Sequence, residues 1–406
     1  MNKSFLTKLD FALLSTVLIL LTIGLIAVYS ATYSPDIENN SYFEKQLTFA
    51  VFGLILLLVT SFMPFRVIQK MSYPLYIISI ILLILVMFFG VRGFGAERWL
   101  SIGPLKLQPS EFAKIATVLA VARYLSTREA NVNRFKYLAG TSAIILLPFV
   151  LIVQQPDLGT SLVFLVILIP LVYWAGLSWF ALFVILFPLA TVLLSFNFYT
   201  FLIWMAVVLF ILLLSKRSIY ISVAVFLIHI SVGMITPALW GQLKPYQQQR
   251  ILTFANPEAD PKGAGYQIIQ SQVAIGSGGI WGKGFLEGSQ THLKFLPAQH
   301  TDFIFSVIGE EWGFTGIVFV LSIFLVLLLY MLHLGTIVRS KYSSIVIIGV
   351  MTILFFHIFI NIGMTAGLAP VTGLPLPFIS YGGSFLISTL LMIGIVMNLS
   401  VNRYLD

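Results

Sequence analysis

Long runs of hydrocarbon side chains, broken by short polar stretches, fill most of this chain. They lie near 11–31, 46–63, 73–91, 109–125, 138–155, 158–175, 178–196, 198–214, 219–238, 303–334, 343–366 and 379–400. A helix needs about 20 apolar residues to cross the roughly 30 Å hydrocarbon core of a bilayer. The pattern therefore predicts an all-α polytopic membrane protein with about twelve transmembrane helices. MNKSFLTKLDF leads into the first run, which is long enough to stay as a span rather than act as a removable leader. The run at 303–334 would extend about 48 Å at 1.5 Å per residue. Its outer end is expected to tilt, or to stand above the lipid. The whole of 1–406 reads as one membrane domain: N-terminal spans over 1–238, a long polar loop over 239–302, and C-terminal spans over 303–406.

Composition excludes a water-soluble globule. The 406 residues are 59% hydrophobic and 9% charged, with mean hydropathy +1.00, against about 25% charged in ordinary soluble domains. No cysteine is present, which removes disulfides, thiol catalysis and cysteine-held metals. The net charge of +8 need not mean nucleic acid, because Lys and Arg collect in cytoplasmic loops of membrane proteins. Lys3, Lys8, Arg66, Lys70, Arg128, Arg134, Lys136, Lys216, Arg217, Arg339, Lys341 and Arg403 all fall on one side if the spans alternate. That side is the cytoplasm, and both termini are expected there. The opposite side then holds 92–108, 239–302 and 367–378. A loop as long as 239–302 is usually functional. Within it come YQQQRILTF, the turn-rich NPEADPKGAGY, and IIQSQVAIGSGGIWGKGF, apolar first and glycine-rich later. No repeat of 20–50 residues and no inverted halves are visible.

Four polar stretches interrupt this greasy pattern. FLPAQHTDFIF places His300, Thr301 and Asp302 at the mouth of a span. Asp302 reads either as a helix N-cap or as a partly dry carboxylate whose raised pKa suits a general base. In GAERWLSIGPLKLQPSEFAKIA, Pro109 suits a first turn. Glu111 and Lys114 are three apart and can pair, on the surface or lining an internal cavity; Trp99 reads as an interface anchor. In QQPDLGTS, Asp157 is expected to cap the next helix. In GLPLPFISYGGSFL, which includes Ser380, glycines and prolines mark a re-entrant turn or backbone open to a ligand. Glu310 and Glu311 are adjacent, so at most one can face a given pocket. Arg92, Arg98, Lys106, Lys244, Arg250, Lys262, Lys283 and Lys294 fall on the outer side, with Lys45 further off. Singly they are solvated charges; with glycine-rich backbone they could hold an anion such as a diphosphate. The five histidines show no metal-ligand spacing; a divalent cation such as Mg or Mn shared by His300 and Asp302 is a minor alternative.

One carboxylate ringed by cations fits a particular chemistry. Glycoside hydrolysis normally needs two carboxylates, one to protonate the leaving oxygen. A sugar on a lipid diphosphate carries its own leaving group, so one base and positive charge suffice.

The choice of substrate comes from a resemblance. GAERWLSIGPLKLQPSEFAKI, QQPDLGTSLV, ADPKGAGYQIIQSQVAIGSGGIWGKGFLEGSQTHLKFLPAQHTDFIFSVIGEEWGFTG and NIGMTAGLAPVTGLPLPFISYGGS resemble the SEDS family (shape, elongation, division and sporulation). GKGFLEGSQTHLKFLP is closer to its elongation branch than to its division branch. The resemblance implies a peptidoglycan glycosyltransferase that polymerises lipid II at the outer face of the bacterial cytoplasmic membrane, releasing undecaprenyl diphosphate. It implies a class B penicillin-binding protein as partner, with other elongation-complex membrane proteins. Asp302 matches the family's essential acid in HTDF, Trp99 its required RW tryptophan, and Glu111 with Lys114 a polar pair in its central cavity. Arg98, Lys106, Arg250 and Lys283 are the expected diphosphate cations, and His300 and Ser380 are expected near substrate. The family usually has ten spans; 178–238 holds about three where one is expected, which reads as an inserted hairpin. Two rivals remain at this stage: a lipid II flippase and a scaffold without chemistry.

Overall fold

The computed structural model describes residues 9–33, 41–93, 96–102, 105–127, 130–215, 217–242, 248, 252, 264–292 and 295–404. A helix occupies each of the predicted apolar runs. They are α1 (Phe11–Thr32), α2 (Ser41–Phe62), α3 (Phe65–Phe89), α4 (Pro109–Leu125), α5 (Phe135–Gln154), α6 (Leu158–Trp174), α7 (Trp179–Leu194), α8 (Phe198–Leu214) and α9 (Ile219–Gln242). After α9 come two helices within the expected loop, α10 (Ala264–Ser277) and α11 (Ser289–His292), and then α12 (Ile304–Ile337), α13 (Lys341–Thr365) and α14 (Gly383–Val401). Eight of them, α1, α2, α3, α5, α9, α12, α13 and α14, are long and apolar enough to cross a membrane. Polar side chains start several helices by accepting otherwise orphaned backbone N–H groups. Asp10 caps α1, Asp157 caps α6, Ser178 caps α7 and Asn197 caps α8.

The expected outer loop 92–108 is in part a small sheet. Strands β1 (Val91–Gly93), β2 (Ala96–Ile102) and β3 (Leu105–Leu107) pair antiparallel in that order. Leu100 pairs with Leu107 and Ser101 with Lys106. The sheet lies over α3 and α4. The alternation in LSI and LKL was the available sign of it. The last helix also begins later than the pattern predicts, at Gly383 rather than 379, because a turn over 377–379 and a bend at Ser380 precede it.

α13 and α14 form the centre. In α14, 83% of the apolar window is buried against protein, compared with 22% in α9. The main core joins residues of α1 to α6 and of α12, α13 and α14. Helices α7, α8 and α9 pack mostly on one another. They enclose a cluster of their own, Phe183, Val208, Leu212 and Val225, with Thr191 bonded to both His229 (2.6 Å) and Trp204 (2.9 Å) inside it.

The excess length of α12 is resolved by a break. Gly313 adopts φ 64°, ψ −163°, a region that essentially only glycine enters. Beyond it, 314–337 would rise roughly 36 Å at 1.5 Å per residue, close to one membrane crossing. The glycine-rich stretch 278–284 fills the break. Gly279 and Ile280 carbonyls accept from Phe314 N (2.9 Å) and Thr315 N (3.1 Å). Lys283 N and Gly284 N donate to the carbonyls of Glu310 (3.0 Å) and Glu311 (3.1 Å). So the glycines are there for close backbone approach. A Cβ on Gly282, at φ +83°, would stand 2.0 Å from the Glu311 carbonyl oxygen. Gly282→Ala is therefore expected to destabilise the protein by at least about 1–2 kcal/mol from the left-handed backbone alone. Thermal unfolding in detergent checks this; an unchanged midpoint would show that the break is not sealed this way.

Candidate active site

Asp302 sits in a tight turn ahead of α12. The backbone N–H groups of Thr301 and Asp302 both donate to the Ala298 carbonyl, each at 3.1 Å. The N-cap of α12 is Phe303, with no side-chain cap hydrogen bond. Asp302, which carries the carboxylate, stands one position ahead of that N-cap. That carboxylate is half-buried and lies against the 372–376 segment. A Cβ on Gly373 (φ +74°) would stand 3.4 Å from Asp302 Oδ2, so the chain passes close beside the acid where only glycine fits easily.

Buried polar side chains tie this turn to the 373–382 loop. Ser380 Oγ donates to the Thr301 carbonyl (2.6 Å) and accepts from Leu376 N (2.8 Å). Ser380 is 1% exposed, so its hydroxyl joins two loops rather than opening to a ligand. Gln46 of α2 donates to the Ser380 carbonyl (3.1 Å) and accepts from Gly382 N (3.2 Å). Gln299 donates to the Ala31 carbonyl at 2.7 Å.

His300 is one residue from Thr301 and packs between two tyrosines. Its ring centroid lies 4.7 Å from Tyr42 and 5.6 Å from Tyr381, and its carbonyl accepts from Tyr381 N at 2.9 Å. Burial lowers the imidazole pKa below its usual 6.5, so the folded state prefers neutral His300. The unfolded chain then binds the proton more readily, and stability falls as pH drops below about 6.5. His300→Gln should lack this part of the pH dependence, as read from unfolding midpoints between pH 8 and 5.

Glu111 and Lys114 are paired as expected, and the pair is internal. Lys114 Nζ lies 2.7 Å from Glu111 Oε2, with both side chains almost fully buried. A third member joins them. Lys114 Nζ is 3.0 Å from His357 Nε2 on α13, and His357 Nδ1 is 3.2 Å from the Pro375 carbonyl. Lys114 also lies 5.3 Å from the Phe385 ring centroid. The pair therefore reaches the same 373–376 segment that faces Asp302.

The sheet residues approach from the other side. Arg98 Nη2 donates to the Pro156 carbonyl (3.0 Å) and Nε lies 3.5 Å from Asp157. Asp157 meanwhile caps α6 through Thr160. The start of α6 touches the 373 loop: a Cβ on Gly159 would stand 2.5 Å from the Thr372 carbonyl oxygen. Trp99 is half-buried, and Lys106 is exposed. No carboxylate pairs with Lys106 among the described residues. Lys283 is differently placed. Its ammonium lies 2.7 Å from Glu310 Oε1 and 2.7 Å from Ser289 Oγ. Glu310 also accepts from Gln290 N, Thr291 N and Thr291 Oγ1. That lysine's charge is matched within the protein, fixing α11 to α12. Glu311 turns instead towards α1 and accepts from Ser30 Oγ. The two adjacent glutamates thus face different partners. Arg250, and most of 243–263, lie outside the described residues.

Sequence reading missed His357, Asn361, Gln46, Tyr42 and Tyr381. His357 and Asn361 had a usable sign: two polar residues four apart inside the apolar run FFHIFINIGM, where buried polar groups normally have a specific partner. The tyrosines and Gln46 gave no sign, since their positions suit a membrane interface equally well. Among the described residues no group of three or more His, Asp or Glu could hold a metal ion, and the His300 ring is packed by tyrosines.

Comparison with known proteins extends over nearly the whole chain. The family described as cell cycle protein, of the FtsW, RodA and SpoVE type, matches residues 11–197 and 180–405. The peptidoglycan glycosyltransferase MrdB of Escherichia coli K12 is 38% identical over 405 residues, covering 99% of this chain and 96% of that protein. A chain solved in a study of the structural coordination of polymerization and crosslinking by a peptidoglycan synthase complex is 33% identical. It superposes with TM-score 0.76 over 98% of this chain and 99% of its own. The crystal structure of the rod shape determining protein RodA of Thermus thermophilus is 28% identical, with TM-score 0.66 and 98% of each chain covered.

Proposed function

This chain belongs to the cell cycle protein family of FtsW, RodA and SpoVE, and within that family we propose that Asp302 is the general base of glycosyl transfer. The enzyme is a peptidoglycan glycosyltransferase of the elongation type, like its full-length relatives. Asp302 takes the proton from the GlcNAc 4-hydroxyl of an incoming lipid II. The freed oxygen attacks the anomeric carbon of the MurNAc that ends the growing strand. A β-1,4 bond forms, the bond from that carbon to the diphosphate oxygen breaks, and undecaprenyl diphosphate leaves with the electron pair. The observation that carries this reading is the placement of the Asp302 carboxylate at the mouth of α12, against a 373–376 segment that Asn361 and His357 hold.

Charge neutralisation at the diphosphate falls to Lys106, Arg98 and Arg250 in this scheme. Lys106 is the strongest of the three, being exposed beside the start of α4 with no carboxylate on it among the described residues. Arg98 already shares Asp157, and Lys283 is engaged by Glu310. No step runs through a metal. Trp99 stands beside Arg98 and would border the substrate.

The same proposal gives the chain twelve crossings, counting the shorter α4, α6, α7 and α8, with Asp302 on the outer side. Support comes from the two ends of the bundle. Asp10 accepts from Tyr330 and Ser400, and Arg339 N donates to the Arg403 carbonyl. That end carries Arg339, Lys341 and Arg403 and lies at the opposite end of α12 from Asp302, as cytoplasmic loops would. Two helices of α7–α9 are then an inserted hairpin. The family match breaks into two overlapping stretches at 180–197, and these helices pack as a unit of their own. A crosslinking enzyme of the class B penicillin-binding type is the proposed partner. A solved relative comes from a complex that coordinates polymerization with crosslinking.

The deciding experiment gives purified protein lipid II in detergent and resolves the products on a gel. A ladder of glycan strands supports the reading. Detergent abolishes the two sides of a membrane, so a flippase would yield no polymer, and neither would a scaffold.

A further inference from the structure

Asn361 lies on α13 with 0% exposure. Its Nδ2 donates to two backbone carbonyls at once, Asp302 O at 2.9 Å and Leu374 O at 2.8 Å. Carbonyl oxygens only accept, so this position demands two N–H donors, and the amide orientation follows. The opposite orientation would set three oxygens together in a buried space. The two carbonyls belong to the two segments that flank the Asp302 carboxylate. One is that of Asp302 itself. The other follows Gly373, where a Cβ would stand 3.4 Å from Asp302 Oδ2.

His357, one turn earlier on the same helix, continues the clamp. Its Nδ1 faces the Pro375 carbonyl, an acceptor, so Nδ1 carries the proton. Nε2 is then left to accept from Lys114. Successive carbonyls, Leu374 and Pro375, are thus held by two side chains of α13.

We infer that Asn361 is a positioning residue for Asp302, fixing through its two hydrogen bonds the separation between the acid's own backbone and the 373–376 segment it lies against. Both hydrogen bonds of the Asn361 amide go to main-chain carbonyls, so it acts through the backbone. Without both bonds, the 373–376 segment and the 298–303 turn can move apart. The carboxylate then loses the placement that proton transfer requires, and a displacement of about 1 Å can cost about 10²-fold in rate. This inference rests on Asp302 being the base.

The test uses the full chain in detergent with lipid II, and compares Asn361→Leu, Asp302→Asn and the double variant. Asn361→Leu keeps the volume and removes both donors. Expected is a fall in kcat of about 10²-fold, with KM for lipid II within about twofold of the unaltered protein. In the Asp302→Asn background the same change should lower residual polymerisation little further, since effects through one group do not add. If Asn361→Leu does not fold, Asn361→Ser, which is smaller and keeps one donor, takes its place, with a smaller fall in kcat expected. A folded variant with normal kcat overturns the inference. So does a raised KM at unchanged kcat, or an equal further loss in the Asp302→Asn background. Full activity of Asp302→Asn alone would instead overturn the assignment of the base, which separates the two failures.

Discussion

Asp302→Asn protein, purified in detergent and supplied with lipid II, is expected to lose polymerisation by about 10²–10⁴-fold, the contribution a positioned base typically makes. Asn is the same size and keeps one oxygen, so the turn at 298–303 should hold. Hydrogen bonds made there by the backbone groups of Ala298, Thr301 and Asp302, and by Ser380, are left in place by the substitution. The unfolding midpoint should therefore stay close to that of the unaltered protein. Loss of glycan strands with an unchanged midpoint separates chemistry from folding. Strands made at the normal rate by the Asn variant would end the assignment of Asp302.

The largest effect on stability should come from Lys114→Met. The ammonium is fully buried and touches Glu111 at 2.7 Å and His357 at 3.0 Å. Removing it leaves the Glu111 carboxylate with no cation, and breaking a buried pair from one side costs about 3–5 kcal/mol. Replacing both partners at once is different, because no unpaired charge then remains. Lys114→Met with Glu111→Leu should recover most of the lost stability, as followed by unfolding monitored through tryptophan fluorescence. Equal midpoints for the single and double variants would show that the pair does not hold the core together. Activity should fall in both variants, since His357 loses its partner and the Pro375 carbonyl its firm hold.

Much of the candidate site was readable in the sequence. Asp302, Glu111 and Lys114 stand out because a charged residue within or beside an apolar run needs a reason. The motif around each of them carried the family. The cap on α6 was also readable, since Asp157 precedes a helix and Thr160 lies three residues on. Other readings changed. Lys283 was grouped with the diphosphate cations, yet its ammonium meets Glu310, 27 residues further along the chain. The glycines of 278–284 could have cradled an anion, yet they seal the break in α12. Charge and composition do not say which distant group will be near.

The sequence by itself determined that this protein lives in a membrane, where most of its helices begin and end to within about five residues (α3 starts at Phe65, well ahead of its predicted 73), and which acid to suspect. These follow from local quantities: hydrocarbon length against bilayer thickness, and the cost of a lone charge. Only the tertiary structure decided that Gly313 breaks α12, that α7–α9 form a separate cluster, and that Asn361 and His357 reach the 373–376 segment from α13. Those contacts join residues as far apart as 59 positions, from Asn361 to Asp302. Their partners are mostly backbone carbonyls. Every residue has one, so no side-chain pattern along the chain can announce which of them will be held.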